Sequence, residues 1–347
     1  MVDHQAEHRG VTTLAHVAQL AGVSVATASK ALNNRAQVAP ATRERVLLAA
    51  EQLDFKPNTL AQSLLSGRSG TIGLVTHDLD GRFSIPILMG VEDAAGTGKM
   101  SALLCDARGD SLREAYHLQA LLGRRVDGLV VVGARSDPRP SLGKLPVPVV
   151  YAYAPSSDPA DASVVIDHAR GGGIGIEHLV TCGRSRIAVI SGDRTYGAAN
   201  ERAEGALGAL SAAGLAPWGG EVLFGAWTEA WGRSATEMLL ARPDAMIRAG
   251  EPAFDGILCG SDQIARGVLD VLRERGVEVP QAVSVVGHDN WEIFATGSRP
   301  QLTSVDMHLE HLGHRAAQRL FDAIDGRHTA GVEYCESSLV LRESSAP

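Results

Sequence analysis

The chain has 347 residues, 45% hydrophobic and 21% charged, a globular balance that suits two or three units rather than one small domain. Its net charge of −8 argues against a chain that coats nucleic acid along its whole length. The charge is uneven, however: residues 1–68 carry seven Lys or Arg against five Asp or Glu, net +2, and the remainder carries −10, so contact with nucleic acid at one end stays open.

In chain order, Thr13–Leu20 reads as a first helix, with Leu14, Val17, Ala18 and Ala21 at helical spacing. Gly22 supplies the positive φ of a tight turn. Ser24 is placed to cap a second helix, about Val25–Leu32, which Asn33-Asn34 ends. Pro40 opens a third, about Ala41–Leu53. Phe55-Lys56-Pro57-Asn58 then breaks the pattern. The stretch Thr59–Leu65 is too short to be a stable helix alone in water, and Ser66–Gly70 reads as a joint.

From Thr71 the character changes. Strand-like runs at Thr71–Thr76, Ala102–Cys105, Gly128–Val132, Pro148–Tyr153, Ser163–Ile166, Arg186–Ile190, Gly256–Cys259 and Val283–Gly287 alternate with amphipathic helices such as Ser111–Leu122, Glu201–Ala213 and Asp262–Arg275. Continuous Val/Ile runs between helices predict parallel sheets covered on both faces. About 270 residues exceed one sheet, so two doubly wound subdomains with a cleft between them are expected.

The run from Val17 to Asn33, a helix, a Gly-containing turn and a second helix, has the form of a helix-turn-helix. Together with Thr42-Arg43-Glu44-Arg45-Val46 and Phe55-Lys56-Pro57-Asn58, it resembles the LacI/GalR family of bacterial transcription regulators. The resemblance continues through the core almost to the last residue. It implies an all-α helix-turn-helix head over 11–57, a hinge helix and linker over 58–70, and an α/β periplasmic-binding-protein-like core over 71–343. Within that core, subdomain one is expected at about 71–165 plus 292–325, and subdomain two at about 166–291 plus 326–343.

By the same resemblance, Val25, Ala26 and Lys30 occupy base-reading positions. Lys30 can donate to guanine, while Val25 and Ala26 offer only apolar contact. Ser24, Thr27, Ser29 and Asn33 are candidates for phosphate contacts, which position without specifying. In the hinge, Leu64 aligns with a minor-groove wedge and Ala61 with a small residue that permits close approach. In the core, Arg202 resembles the family's ligand-clamping arginine and Asp289 the aspartate that accepts ligand hydroxyls. A guanidinium and a carboxylate facing one cleft suit a polyol, because each can hold two adjacent hydroxyls. Trp227 matches a stacking aromatic, and Phe83 and Trp291 are further aromatic candidates. Ser261 and Asp262 stand at a ligand contact and a helix start, with Asp262 expected as the cap.

These readings predict a homodimeric repressor that binds a palindromic operator, with a small-molecule effector, expected to be a sugar, controlling DNA affinity. The alternative is a soluble sugar-binding protein without specific DNA recognition. The N-terminus MVDHQAEHRG has no apolar core of a signal peptide, and no apolar run reaches the roughly 18 residues of a membrane span, so a cytoplasmic protein without membrane contact is expected. Four cysteines, Cys105, Cys182, Cys259 and Cys335, form no CxxC pair, so neither a zinc site nor a disulfide framework is expected. Gly171–Gly175 does not complete G-x-G-x-x-G and no G-x-S-x-G occurs, so neither a cofactor nor a catalytic residue is expected. His308, His311 and His314 step by three, which splays the outer pair and makes a poor chelating face.

Overall fold

The computed structural model describes residues 12–32, 37–55, 68–79, 81–98, 100–242, 246–248 and 251–345. The chain divides into two compact units, 1–69 and 70–347.

In the first unit, helices α1 (Leu14–Leu20), α2 (Val25–Leu32) and α3 (Pro40–Gln52) close around Val17, Ala18, Ala28, Ala31, Val46 and Ala49, all buried. Alanines at the crossings bring the helix axes close enough for three short helices to share one core. Gly22 takes φ +65° at the turn, and Ser24 Oγ accepts the Thr27 N–H at 3.1 Å, capping α2. Asn33, Ala61 and Leu64, and with the last two most of the expected hinge, lie outside the described residues.

The second unit contains two six-stranded sheets. In chain order the strands are β1 (Thr71–Thr76), β2 (Ser101–Asp106), β3 (Gly128–Val132), β4 (Val149–Ala152), β5 (Ala162–Ile166), β6 (Ile187–Ser191), β7 (Leu223–Phe224), β8 (Met246–Arg248), β9 (Glu251–Pro252), β10 (Gly256–Cys259), β11 (Ser284–His288), β12 (Thr303–Asp306), β13 (Gly331–Cys335) and β14 (Ser338–Val340). One sheet has the order β13-β5-β4-β3-β1-β2 and is parallel throughout. The other has the order β14-β12-β11-β10-β6-β7 and is parallel except for β14 against β12. The eight strands expected from the sequence are all present. Those not anticipated are short or edge elements: β13 alternates exposed and partly buried residues, and β14 has three residues.

The expected division into subdomains needs two corrections. Residues 303–306 belong to the second sheet, because β12 pairs with β11, and residues 331–335 belong to the first, because β13 pairs with β5. The backbone ladder decides membership, since each buried N–H and C=O needs a partner. The chain therefore crosses between subdomains three times, after residues 166, 306 and 335.

Both faces of each sheet are covered except along the edge strand β2, where Leu103 and Leu104 are exposed. Along β1, Ile72 and Leu74 join one buried cluster while Val75 joins the opposite one; along β3, Val130 and Val132 oppose Leu129. This is why these strands read as continuous apolar runs. The Gly171–Gly175 run lies in helix His168–Thr181, packed against helix Gly197–Ala212. A Cβ on Gly172 would lie 2.0 Å from the Arg202 carbonyl oxygen, and one on Gly205 would lie 1.8 Å from that of Ala169. These glycines let two helix backbones touch.

Candidate functional site

The head presents α2 as an outward face. Val25, Ala26 and Lys30 are exposed, Val25 to 48%, whereas Ala28 and Ala31 on the other side are fully packed. Helical geometry puts Val25 and Ser29, and Ala26 and Lys30, in adjacent rows on one side. A half-exposed valine at the start of a short helix contributes nothing to this core, so the face is free to meet a groove. Ser24 is exposed but committed to capping, with its Oγ also 2.9 Å from Thr27 Oγ1.

In the core, the loops after β1, β3, β6, β10 and β11 converge on one cleft between the sheets, at the carboxyl ends of parallel strands. Two lobes meet there. The inner lobe, about 240 Å³, is lined by Arg82, Phe83, Tyr153, Tyr196, Arg202 and Trp227 among others. The outer lobe, about 610 Å³, is lined by residues including Arg82, Phe83, Asp289, Trp291 and Glu310. Arg82 and Phe83 border both.

Arg202, buried in helix Gly197–Ala212, fixes the floor. Its Nη1 donates to the Gly260 carbonyl at 2.6 Å and to Asp289 Oδ1 at 3.0 Å. Its Nε donates to His168 Nδ1 at 3.3 Å, and its Nη2 lies 3.2 Å from Met307 Sδ. His168 begins the helix after the first crossover and Met307 lies on the second, so one guanidinium ties the cleft to two of the three connections. The Asp289 side chain is 1% exposed and also pairs with Arg82. The Arg82 guanidinium lies 4.5 Å from the Phe83 ring centre and 4.6 Å from that of Trp291. Across the cleft mouth, the Arg135 guanidinium lies 3.7 Å from the Tyr196 ring centre, and the Gly197 N–H donates to Asp137 Oδ1 at 2.9 Å.

The backbone is strained where these groups meet. Tyr153, Asp289, Asn290 and His308 all have positive φ, and Asp289 at +101° lies outside the left-handed helical well. Such conformations persist where the surroundings enforce them, and they concentrate at binding sites. Titration is perturbed at the same place. Burial, reinforced by the Asp289 charge, pushes the Asp262 carboxyl up to about 8. Burial pushes the Tyr153 hydroxyl up to about 12. Burial, with the Arg202 cation adding, holds His168 and His288 well below the usual imidazole range, so both are neutral. Trp227 Nε1 is buried with no hydrogen-bond partner among the described residues, a donor left for a ligand or water.

Of the residues expected at the site, Phe83, Arg202, Trp227, Asp289 and Trp291 are brought together. Ser261 is not. It is fully buried, and its hydroxyl caps helix Asp262–Glu274 by accepting the Ile264 N–H at 3.4 Å. Asp262 is the first residue of that helix rather than its cap. Its carboxylate accepts from Ser304 Oγ at 2.5 Å and from the Trp291 N–H at 2.7 Å, and so holds the Asp289–Trp291 loop. Arg82, Arg135, Tyr153 and Tyr196 were not anticipated. A glycine beside Arg82 and an aromatic at a strand end were the available signals, and neither points to a cleft until the loops are placed.

Residues 13–58 match the family described as bacterial regulatory proteins, lacI family, and residues 176–345 match the periplasmic binding protein-like domain. The HTH-type transcriptional regulator CelR of Thermobifida fusca is 34% identical over 97% of this chain and 99% of its own length. The structure of a transcriptional regulator CelR–cellobiose complex is 31% identical, covers 96% of this chain and all of that one, and gives a TM-score of 0.63. The lac repressor dimer bound to operator and the anti-inducer ONPF gives 0.71 at 26% identity, covering 97% of this chain and all of that one. An outward helix-turn-helix face, a polar and aromatic cleft and full-length similarity to such regulators converge: this chain belongs to the lacI family of bacterial regulatory proteins.

Proposed function

We propose that this chain is a transcriptional repressor, not an enzyme, that grips a palindromic operator as a homodimer and changes its DNA affinity when a neutral sugar enters the core cleft. The observation that carries this reading is the joining, on one chain, of an exposed α2 face to a cleft holding Arg202, Asp289 and Trp227. Structures similar over nearly the whole chain are described with operator or with cellobiose.

In this reading Val25, Ala26 and Lys30 meet base edges, and Ser24, Thr27, Ser29 and Asn33 meet phosphates. The hinge, with Ala61 and Leu64, reaches the minor groove. Phe83, Trp227 and Trp291 stack on the sugar, while Arg202 and Asp289 hold its hydroxyls; Ser261 supports the site from behind. The dimer is supported by an apolar surface around the edge strand β2. Leu112 and Tyr116 on one flanking helix are 80% and 70% exposed, and Ile85 and Met89 on the other are 49% and 55%. No helix among the described residues is long and apolar enough to cross a membrane, and a DNA-bound regulator works in the cytoplasm.

The test is selection from random duplex DNA, repeated with a panel of neutral sugars. Enrichment of one palindrome spanning about one to two helical turns, lost or gained with one sugar, is the expected result. Salt-sensitive retention with no enriched sequence would reduce the head to a phosphate binder. No retention at all would move the chain to a sugar-binding protein.

A further inference from the structure

We infer that Arg82 is a built-in occupant of the effector site, a plug that the sugar must displace; this rests on the effector reading proposed above. The Arg82 guanidinium lies over the rings of both Phe83 and Trp291, 4.5 and 4.6 Å from their centres, and pairs with the carboxylate of Asp289. A planar cation over aromatic rings, with donors aimed at a carboxylate, makes the same contacts as a sugar ring stacked there with vicinal hydroxyls on Asp289. The seat cannot hold both.

Three further observations fit a displaceable side chain. Arg82 borders the inner lobe of about 240 Å³ and the outer lobe of about 610 Å³ alike, as Phe83 does. Its Nε is buried with no hydrogen-bond partner among the described residues, so the plug does not satisfy its own donors as Arg202 does. The outer lobe also carries Glu292, Asp306 and Glu310. A displaced guanidinium therefore finds carboxylates on the far side and need not be left uncompensated. Asp289 meanwhile keeps its bond to Arg202, which stays on the floor and holds two of the three connections between the subdomains.

The geometry also defines the ligand class. The group that replaces Arg82 must donate hydrogen bonds to Asp289 and present a flat or ring-shaped face to Phe83 and Trp291. An uncharged, hydroxyl-rich ring does both, whereas an anionic group placed there would meet the Asp289 carboxylate.

The plug makes the binding-competent state a minority one. A minor state typically holds on the order of 0.1–10% of the population, and apparent affinity falls by that fraction. Removing the plug should therefore tighten sugar binding by about tenfold or more.

The experiment uses the full chain, wild type and Arg82→Ala, with two probes read by tryptophan fluorescence and melting temperature. Methylguanidinium at a few millimolar is expected to bind Arg82→Ala and not wild type, because it refills the vacated seat. Neutral mono- and disaccharides, cellobiose among them, are expected to bind Arg82→Ala at least tenfold tighter than wild type. Failure of methylguanidinium to bind the variant overturns the seat. Weaker or unchanged sugar binding in the variant overturns displacement and makes Arg82 an ordinary ligand contact or a bystander. If methylguanidinium fills the seat but no sugar binds either protein, the seat assignment stands and the sugar reading falls instead. The variant's own melting temperature, compared with wild type, establishes that it is folded.

Discussion

Asp262 shows how a side chain away from the cleft lining can set the cleft's chemistry. Its carboxylate is fully buried, accepts from Ser304 Oγ and the Trp291 N–H, and stands near the Asp289 charge. Burial and that neighbour raise its pKa from 3.8 to about 8 in the folded chain. A raised folded pKa contributes stability that is full below the unfolded value and is lost as pH rises through the folded one. Asp262→Asn removes this dependence while keeping both hydrogen bonds, with the amide oxygen on Trp291 N–H and the amide nitrogen on Ser304 Oγ. The difference in urea midpoint, wild type minus variant, should therefore fall from about pH 5 to about pH 8. A flat difference would mean that the carboxyl is already ionised at pH 5. His168 and His288, held neutral by burial, contribute with the opposite sign, their stability being lost as pH drops below about 6.5. They act in both proteins and cancel.

Among elements, helix pairs in the core meet through reciprocal glycines. Gly172 and Gly205 join helices His168–Thr181 and Gly197–Ala212, and a Cβ on either would fall within about 2 Å of the facing carbonyl oxygen. The same holds for Gly90 with Gly313 and for Gly232 with Gly267, where added Cβ atoms would lie 1.9–2.1 Å from facing carbonyl oxygens. Backbone cannot yield as a side-chain tip can, so overpacking at these points is costly. Gly172→Ala should lower unfolding stability by about 1–3 kcal/mol. It should also disturb effector binding, because the clashing carbonyl belongs to Arg202. An unchanged urea midpoint would show that the helices can part at no cost. The Gly171–Gly175 run lacks the pattern of a cofactor loop, and its partner Gly205 lies some thirty residues away. Only the crossing of two helices pairs them.

For the whole molecule, the exposed apolar groups around β2 bear on assembly. Leu112 and Tyr116, at 80% and 70% exposure, add little to the stability of an isolated chain. Leu112→Asp with Tyr116→Asp should leave the melting of the monomer nearly unchanged yet shift sedimentation from dimer to monomer. Operator affinity should fall by orders of magnitude, since two tethered heads bind with a high effective concentration and one does not. A variant that remains dimeric would place the interface elsewhere. The uneven charge, +2 over residues 1–68 against −10 beyond, acts at this scale too. It leaves the acidic core repelled by the DNA that the head approaches, and favours binding through the head alone.

Much of this was legible in the sequence, for stated physical reasons. Helical periodicity, Gly22, Ser24 and Pro40 define the three head helices locally, since caps and turns act within a few residues. Apolar runs mark eight strands, seven of them buried on both faces, because parallel strands between helices carry no polar side; the eighth, β2, is an edge strand and largely exposed. Arg202 and Asp289 were expected at the cleft only from the family resemblance of the segments that carry them, and both line it. What the tertiary structure alone decided is how distant segments pair. It moved β12 and β13 to opposite sheets, because ladder partners 17 and 169 residues away set their place. It made Ser261 a buried cap and brought Arg82 onto Asp289 across 207 residues of chain. Local propensity cannot encode such meetings; they follow from the packing of two sheets around one cleft.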